Sequence, residues 1–434
     1  MLVLALLNIC VITGHAQSPA AVQGREMLVS GIKVVLKSTV NKVISANLVF
    51  LGGTQNYLKE QQGIENAALG ATAECGTKTM TRDQFLDKLE STGSEINGFS
   101  GLDFGLISLR CVKANWDATW GLFADAVVNP SFNDKDFLTY RQKLIAQVKM
   151  RESNPDGSLN DLASHTVFKG TRYEAIPQGT AESLSQISSA VARAYYSKIL
   201  TKAQIFLVVV GDIKEADLKA KVEKAFAALP QGSFTPTAAT ALDVTTSDFE
   251  TESRPLATNY ILGVMGAPAS TSANYRAYQL GMRVLYDHMF REVRTKRNLS
   301  YAPAAYMRTS LINSATLYVT TTQPNTTAKV MIDEINSVRT NGFSDKEVRE
   351  KKNEFLTSYY MQQESNAAQA QSLAGAQVLF GNWKRAITVN DEINALTSTD
   401  VNGAMKSSIK AIKWVYLGKP EQANSAVFKQ SMNL

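Results

Sequence analysis

The sequence predicts an α+β protein of two similar α/β halves, each an antiparallel-rich sheet with helices packed on one face. Three observations carry that expectation. The chain has 434 residues, more than one hydrophobic core usually serves, so two domains are expected. Strand-like runs come in blocks ahead of helix-like runs rather than alternating with them, which favours α+β over a doubly wound sheet. After the Thr-, Ser- and Ala-rich stretch QGSFTPTAATALDVTTSDFETES, the same order of strands and helices begins again.

In the first half, GIKVVLKS and VISANLVFLGG read as paired strands with a hairpin-like turn near Asn41. Residues 63–74 and 81–92 read as helices, and LDFGLISLRCV has strand-like alternation. WDATWGLFADAVVNPSF reads as a helix ended by Asn129-Pro130, because proline disfavours helix in the residue before it. A long helix is expected from Asp134 to about Arg151, with Phe137, Leu144, Ile145 and Val148 on one face. IFLVVVGD reads as a buried strand, and DIKEADLKAKVEKAFAAL as an amphipathic helix closed by Pro230. The second half repeats the pattern with the strand ATNYILGVMGAP, the helix NYRAYQLGMRVLYDHMFREVRTK, the strands YAPAAYMR and SATLYVTTT, and then long helices. The expected division is 1–16 signal peptide, 24–232 first domain, 233–252 linker and 253–434 second domain.

Composition narrows the function. The chain is 44% hydrophobic and 19% charged, an ordinary globular balance. Its net charge of +6 is scattered rather than clustered with aromatics, so no nucleic-acid partner is expected. MLVLALLNICVITGHA ends in small residues at Gly14 and Ala16 and reads as a signal peptide, although no Lys or Arg precedes the apolar run. Its lipoprotein alternative, through Cys10, has Asn8 and Ile9 where small residues are preferred. A periplasmic or secreted protein with no membrane span is therefore expected. Cys75 and Cys111 remain after signal removal, and export permits a disulfide between them as readily as two buried thiols.

Residues 63–77, GIENAALGATAECGT, lie between a strand-like and a helix-like run, where a metal-binding helix would sit. Together with GIKVVLKS, LVFLGGTQNYLKEQQGI, LDKLESTGSEINGFSG, VVNPSF and QGTAESLSQISSAVARAYYSKIL, this stretch resembles the M16 (insulinase, or mitochondrial-processing-peptidase-like) metallopeptidases. The resemblance runs from about residue 27 to 420 and implies two half-domains of the LuxS/MPP-like metallohydrolase type. Active members carry H-x-x-E-H on this helix. Two histidines at i and i+4 hold zinc and the glutamate between them activates the bound water. A glutamate from a later helix completes the ligand set.

Laid on this sequence, the first histidine falls on Asn66, the glutamate on Leu69, the second histidine on Gly70 and the distal glutamate on Gln147. One extra residue lies between Gly70 and Gly76-Thr77, but no shift rescues the site, because no histidine occurs between His15 and His165. His288 and Glu292, at i and i+4, and His165 are read as surface or hydrogen-bonded residues, and Glu65 and Glu74 as solvated helix carboxylates. No metal is expected in this chain.

REVRTKRNLSYAP, in the second half, resembles the Arg/Tyr motif that M16 enzymes turn toward the zinc. Arg294 and Tyr301 match its spacing, with Leu299 in place and Asn298 at the common glycine position, where Asn suits a left-handed helix cap. The resemblance implies that this pair binds a peptide carbonyl and the oxyanion developing on it. VLYDHMF replaces the glycine- and serine-rich stretch often found before that arginine. By resemblance, then, the chain is the zinc-less subunit of a periplasmic peptidase heterodimer. Its partner would be a zinc-bearing homologue, or a second copy of itself, and an unfolded peptide would enter the chamber between them. The alternative is a structural or peptide-binding protein with no role in proteolysis.

Overall fold

The computed structural model describes residues 24–432, so the expected signal peptide and Cys10 lie outside the described residues. The described residues open on a hairpin that the sequence reading overlooked. β1 (Arg25–Val29) pairs antiparallel with β2 (Ile32–Ser38) across Ser30-Gly31, whose φ values of 50° and 87° are those of a tight hairpin turn. After β3 (Val43–Leu51) come α1 (Ile64–Glu74), α2 (Arg82–Ser91), β4 (Glu95–Ser100) and β5 (Phe104–Val112). Five helices follow: α3 (Trp116–Val128), α4 (Asp134–Ser153), α5 (Pro155–Val167), α6 (Ala181–Ser185) and α7 (Ser189–Ile199). β6 (Ile205–Gly211) and α8 (Glu215–Phe226) close the half.

The expected pairing of β2 with β3 is corrected. The first sheet runs β1-β2-β6-β3-β5-β4, so β6 slots between them, parallel to β2 and antiparallel to β3. The reason is burial: every residue of β6 is buried, and a strand apolar on both faces belongs in the middle of a sheet.

The stretch read as a linker, 233–252, also needs correction. It contains β7 (Thr240–Ala241) and most of β8 (Asp248–Ser253), and β8 pairs parallel with the last strand of the chain. The second half continues with β9 (Asn259–Met265), α9 (Tyr275–Met289), a π-helical turn (Phe290–Thr295), β10 (Ala304–Arg308) and β11 (Ile312–Thr321). Then come α10 (Pro324–Asn341), α11 (Asp345–Gln362), α12 (Asn366–Phe380), α13 (Val389–Asn394), α14 (Ser398–Ser408), β12 (Ile412–Gly418) and α15 (Ser425–Phe428). Its sheet runs β10-β11-β9-β12-β8, the order of the first sheet with β10 for β4, β11 for β5, β9 for β3, β12 for β6 and β8 for β2. Even the parallel pairing recurs, β8 with β12 as β2 with β6, which is the structural form of the duplication.

Each sheet carries helices of its own half on one face. The other face is covered from across the molecule. Val35, Val49, Phe206, Val208 and Val210 pack under Ala370, Leu373 and Ala374 of α12. Reciprocally, Leu262, Val264, Val415 and Leu417 pack under Leu159, Ala163 and Val167 of α5. A polar tie joins the halves at one edge: the amide of Leu311 donates to buried Asp103 at 3.0 Å, and the Tyr173 hydroxyl donates to the same carboxylate.

Candidate functional site

α1 is buried nearly all round, as a helix with no polar face must be. It lies directly on the β4–β5 hairpin, and Gly98 permits that approach: a Cβ there would stand 2.0 Å from the Leu69 carbonyl oxygen. The four positions of the zinc register are placed as follows. Asn66 is half-buried and its side-chain oxygen accepts from the Ser100 amide at 3.2 Å. Leu69 is fully buried in the core. Gly70 faces Tyr140 of α4, whose hydroxyl oxygen would lie 1.8 Å from a Cβ at residue 70. Gln147, further along α4, is exposed. An amide, a leucine, a glycine shut in by a phenol and an exposed glutamine do not fit zinc. Among the described residues no group of three or more His, Cys, Asp or Glu is placed to hold a metal.

Glu65 is not solvated, contrary to the sequence reading. It is completely buried, and its carboxylate accepts from Asn56 Nδ2 at 2.8 Å, Ser100 Oγ at 2.9 Å and Tyr195 Oη at 2.6 Å. Burial raises its pKa to about 7, against the opposing effect of those three donors. The folded chain therefore holds a proton that the unfolded chain gives up at lower pH, so stability falls as pH rises from about 4.5 to about 7. Glu65→Gln is expected to flatten that part of the profile, measured as urea midpoints from pH 4.5 to 7.5. An unchanged slope in the variant would exclude Glu65 as its source. Glu74, by contrast, sits at the surface and pairs with Lys143 at 2.6 Å.

The two cysteines form no disulfide. Both are buried, and burial pushes the Cys75 thiol up to about 12 and the Cys111 thiol up to about 11. They behave as small hydrophobes.

At the far end of α9, Arg294 and Tyr301 are brought together. The helix widens into the π-helical turn and ends at Asn298, whose φ of 49° is the left-handed conformation expected for it. The amides of Asn298 and Leu299 return to the carbonyls of Arg294 and Val293 at 3.0 and 2.9 Å, and the chain doubles back. Tyr301 then lies over Arg294, with the guanidinium carbon 4.1 Å from its ring centroid and 4.8 Å from that of Phe290. Three neighbouring cations are consumed elsewhere: Arg291, Lys296 and Arg297 all bind Glu292, at 3.2, 2.8 and 2.7 Å. Burial works against the Glu292 charge, but these partners outweigh it and hold its pKa at about 2. No carboxylate pairs with Arg294 among the described residues. The result is a guanidinium with no carboxylate partner, packed on the Phe290 ring and on that of Tyr301, which is 77% exposed.

His288 and Glu292 do not act together. His288 lies between Glu334 and Glu347, at 2.6 and 2.8 Å, as a buried staple joining α9 to α10 and α11. Burial opposes its charge, but the two carboxylates prevail and raise its pKa above the ordinary value. Sequence reasoning missed Phe290 and misread Glu65 as solvated. The aromatic four residues before Arg294 was the one local signal available.

Residues 186–355 match the family model described as the peptidase M16 inactive domain. An uncharacterized zinc protease of Rickettsia felis is 22% identical over 368 residues, covering 82% of this chain and 88% of the relative. A non-peptidase homolog, YmxG of Helicobacter pylori, is 23% identical over 186 residues, 43% of each chain. A peptidase M16 inactive domain from Pseudomonas fluorescens superposes with a TM-score of 0.83 at 19% identity, over 95% of this chain and 100% of that one.

Proposed function

We propose that this chain, which belongs to the M16 peptidase family, serves as the zinc-less subunit of a peptidase pair, supplying peptide-binding and oxyanion-stabilising groups to a zinc-bearing homologue. The observation that carries the reading is the Phe290–Arg294–Tyr301 stack, a fixed cation and an exposed phenol donor in a chain whose own zinc helix cannot bind metal. A cation and a donor held in place before reaction suit the charge that develops on a peptide carbonyl. The chemistry that cleaves the peptide would come from the partner. Export to the periplasm, supported by the apolar segment at 1–16, would place both subunits in one compartment. No helix among the described residues is long and apolar enough to cross a membrane.

Co-expression tests the pairing. The chain alone is expected to hydrolyse no peptide and to carry no stoichiometric zinc by elemental analysis. With an H-x-x-E-H homologue from the same cell it is expected to elute as a one-to-one complex that cleaves unfolded peptide. The alternative is a structural or peptide-binding protein outside proteolysis, and one relative, of Helicobacter pylori, is described as a non-peptidase homolog. A chain that ignores every zinc-bearing homologue would favour it.

A further inference from the structure

The duplication places the same junction twice in the molecule. In the first half α1 packs against β4 and α4; in the second α9 packs against β10 and α11. The first junction is shut by Tyr140 pressing on Gly70. The second is open, a cleft of about 330 Å³ lined by Gln279, Arg283 and Tyr286 of α9, Tyr306 and Met307 of β10, and Glu354 of α11. Lys351 also faces it and binds Glu354 and, at 2.7 Å, Asp287. Lys351 thus shares one positive charge between two carboxylates. Arg283 is left with its guanidinium carbon 4.5 Å from the centroid of the Phe355 ring and no hydrogen-bonded acceptor among the described residues. Burial lowers its pKa, and the nearby Glu354 charge opposes that without cancelling it.

Among the described residues β10 is the last strand of its sheet and pairs only with β11, so its other edge offers unpaired main-chain groups. A second cleft of about 380 Å³, lined by Tyr306, Arg308, Arg151 and Asp161, flanks the same strand. Ala305 and Met307 pack on the α9 core, while Tyr306 and Arg308 are exposed on the alternate positions. An extended peptide paired along this edge alternates its side chains with period two, one set toward each cleft.

We infer that the cleft between α9, β10 and α11 is a subsite for an acidic side chain of an extended peptide, whose main chain pairs with β10 and whose carboxylate meets Arg283. The inference rests on the reading that this chain handles peptides, and adds the charge class it takes. Aromatic and methionine walls suit the stem of a glutamate, and a guanidinium gives its carboxylate two parallel donors.

The test uses fluorescein-labelled unstructured peptides, identical except that every second residue is Glu, Gln or Lys, titrated by anisotropy against the purified chain. The Glu peptide is expected to bind about tenfold or more tighter than the Gln peptide, the worth of a charged hydrogen bond. Arg283→Gln is expected to erase that preference while leaving the Gln peptide unaffected, and Arg283→Lys to restore part of it. Thermal melts of both variants check that they fold. Equal binding of Glu and Gln peptides, or a preference that survives Arg283→Gln, overturns the acidic subsite and leaves peptide handling standing. Failure of all three peptides to bind overturns both together.

Discussion

Gly70→His is expected to bind no zinc and to lower stability by about 3 kcal/mol, the upper part of the range for overpacking a filled core. A glycine inside a helix ordinarily costs about 1 kcal/mol relative to alanine, so a side chain at residue 70 starts with a small gain in helix propensity. Contact geometry decides against it. The new Cβ would meet Tyr140 Oη at 1.8 Å, its Cζ at 2.7 Å and the Gly98 carbonyl at 3.3 Å. Tyr140 is 8% exposed, so its ring must leave a buried position to make room. Rebuilding the whole motif is expected to fare worse. Leu69→Glu would put a second carboxyl into the core beside Glu65, because a Cβ on Gly105 would touch Leu69 Cδ1 at 2.3 Å and Glu65 Oε1 at 2.8 Å. Two buried carboxylates that close cannot both ionise, so the pair would keep one proton between them. Urea midpoints and elemental analysis of Gly70→His, Tyr140→Ala and the double variant form the check. The double variant is expected to be more stable than the sum of the singles, since removing the ring removes the clash. A Gly70→His protein with a wild-type midpoint and one bound zinc would show that Tyr140 does not close the site.

The parts of the fold legible in the sequence were those written locally. The helices over 63–74 and 134–151 stand within a few residues of their expected bounds, and Asn298 adopts the left-handed cap that its place after Lys296-Arg297 implied. What escaped was non-local or unpatterned. β8, DFETES, is polar and largely exposed, so it carries no alternation to separate it from the Thr- and Ser-rich stretch before it. β6 displaces the β2–β3 pairing from more than 150 residues away, a choice that only total burial along the strand explains. Glu65 reads as a surface carboxylate because its partners Asn56, Ser100 and Tyr195 are 9, 35 and 130 residues distant. The emptied metal site was visible as missing ligands. That the space is filled depends on Tyr140, and a bare glycine in a buried helix was the only trace of it in the sequence.

Within an assembled pair, Tyr301→Phe is expected to keep assembly and slow turnover by about 100- to 1000-fold, the usual cost of losing one oxyanion donor. The substitution is clean because of the stack. Phenylalanine keeps a ring over the Arg294 guanidinium, whose carbon stands 4.1 Å from the Tyr301 centroid, so the cation stays in place and the hydroxyl alone is removed. Tyr301→Ala would also release one face of Arg294 and mix two effects. Phe290 also holds the cation, at 4.8 Å, so Phe290→Ala is the matching control for the cation's orientation. Arg294→Ala is expected to behave differently. A guanidinium that mainly holds a ground-state carbonyl contributes equally to substrate and transition state, and its loss raises KM with little change in kcat. The two kinetic signatures therefore separate the phenol's contribution to charge development from the cation's contribution to binding. Both must be read on complexes of verified stoichiometry, because a looser pair lowers turnover without touching the chemistry. If Tyr301→Phe and Arg294→Ala both run at the wild-type rate in intact pairs, the stack is scaffold and the chain's role in the pair lies elsewhere.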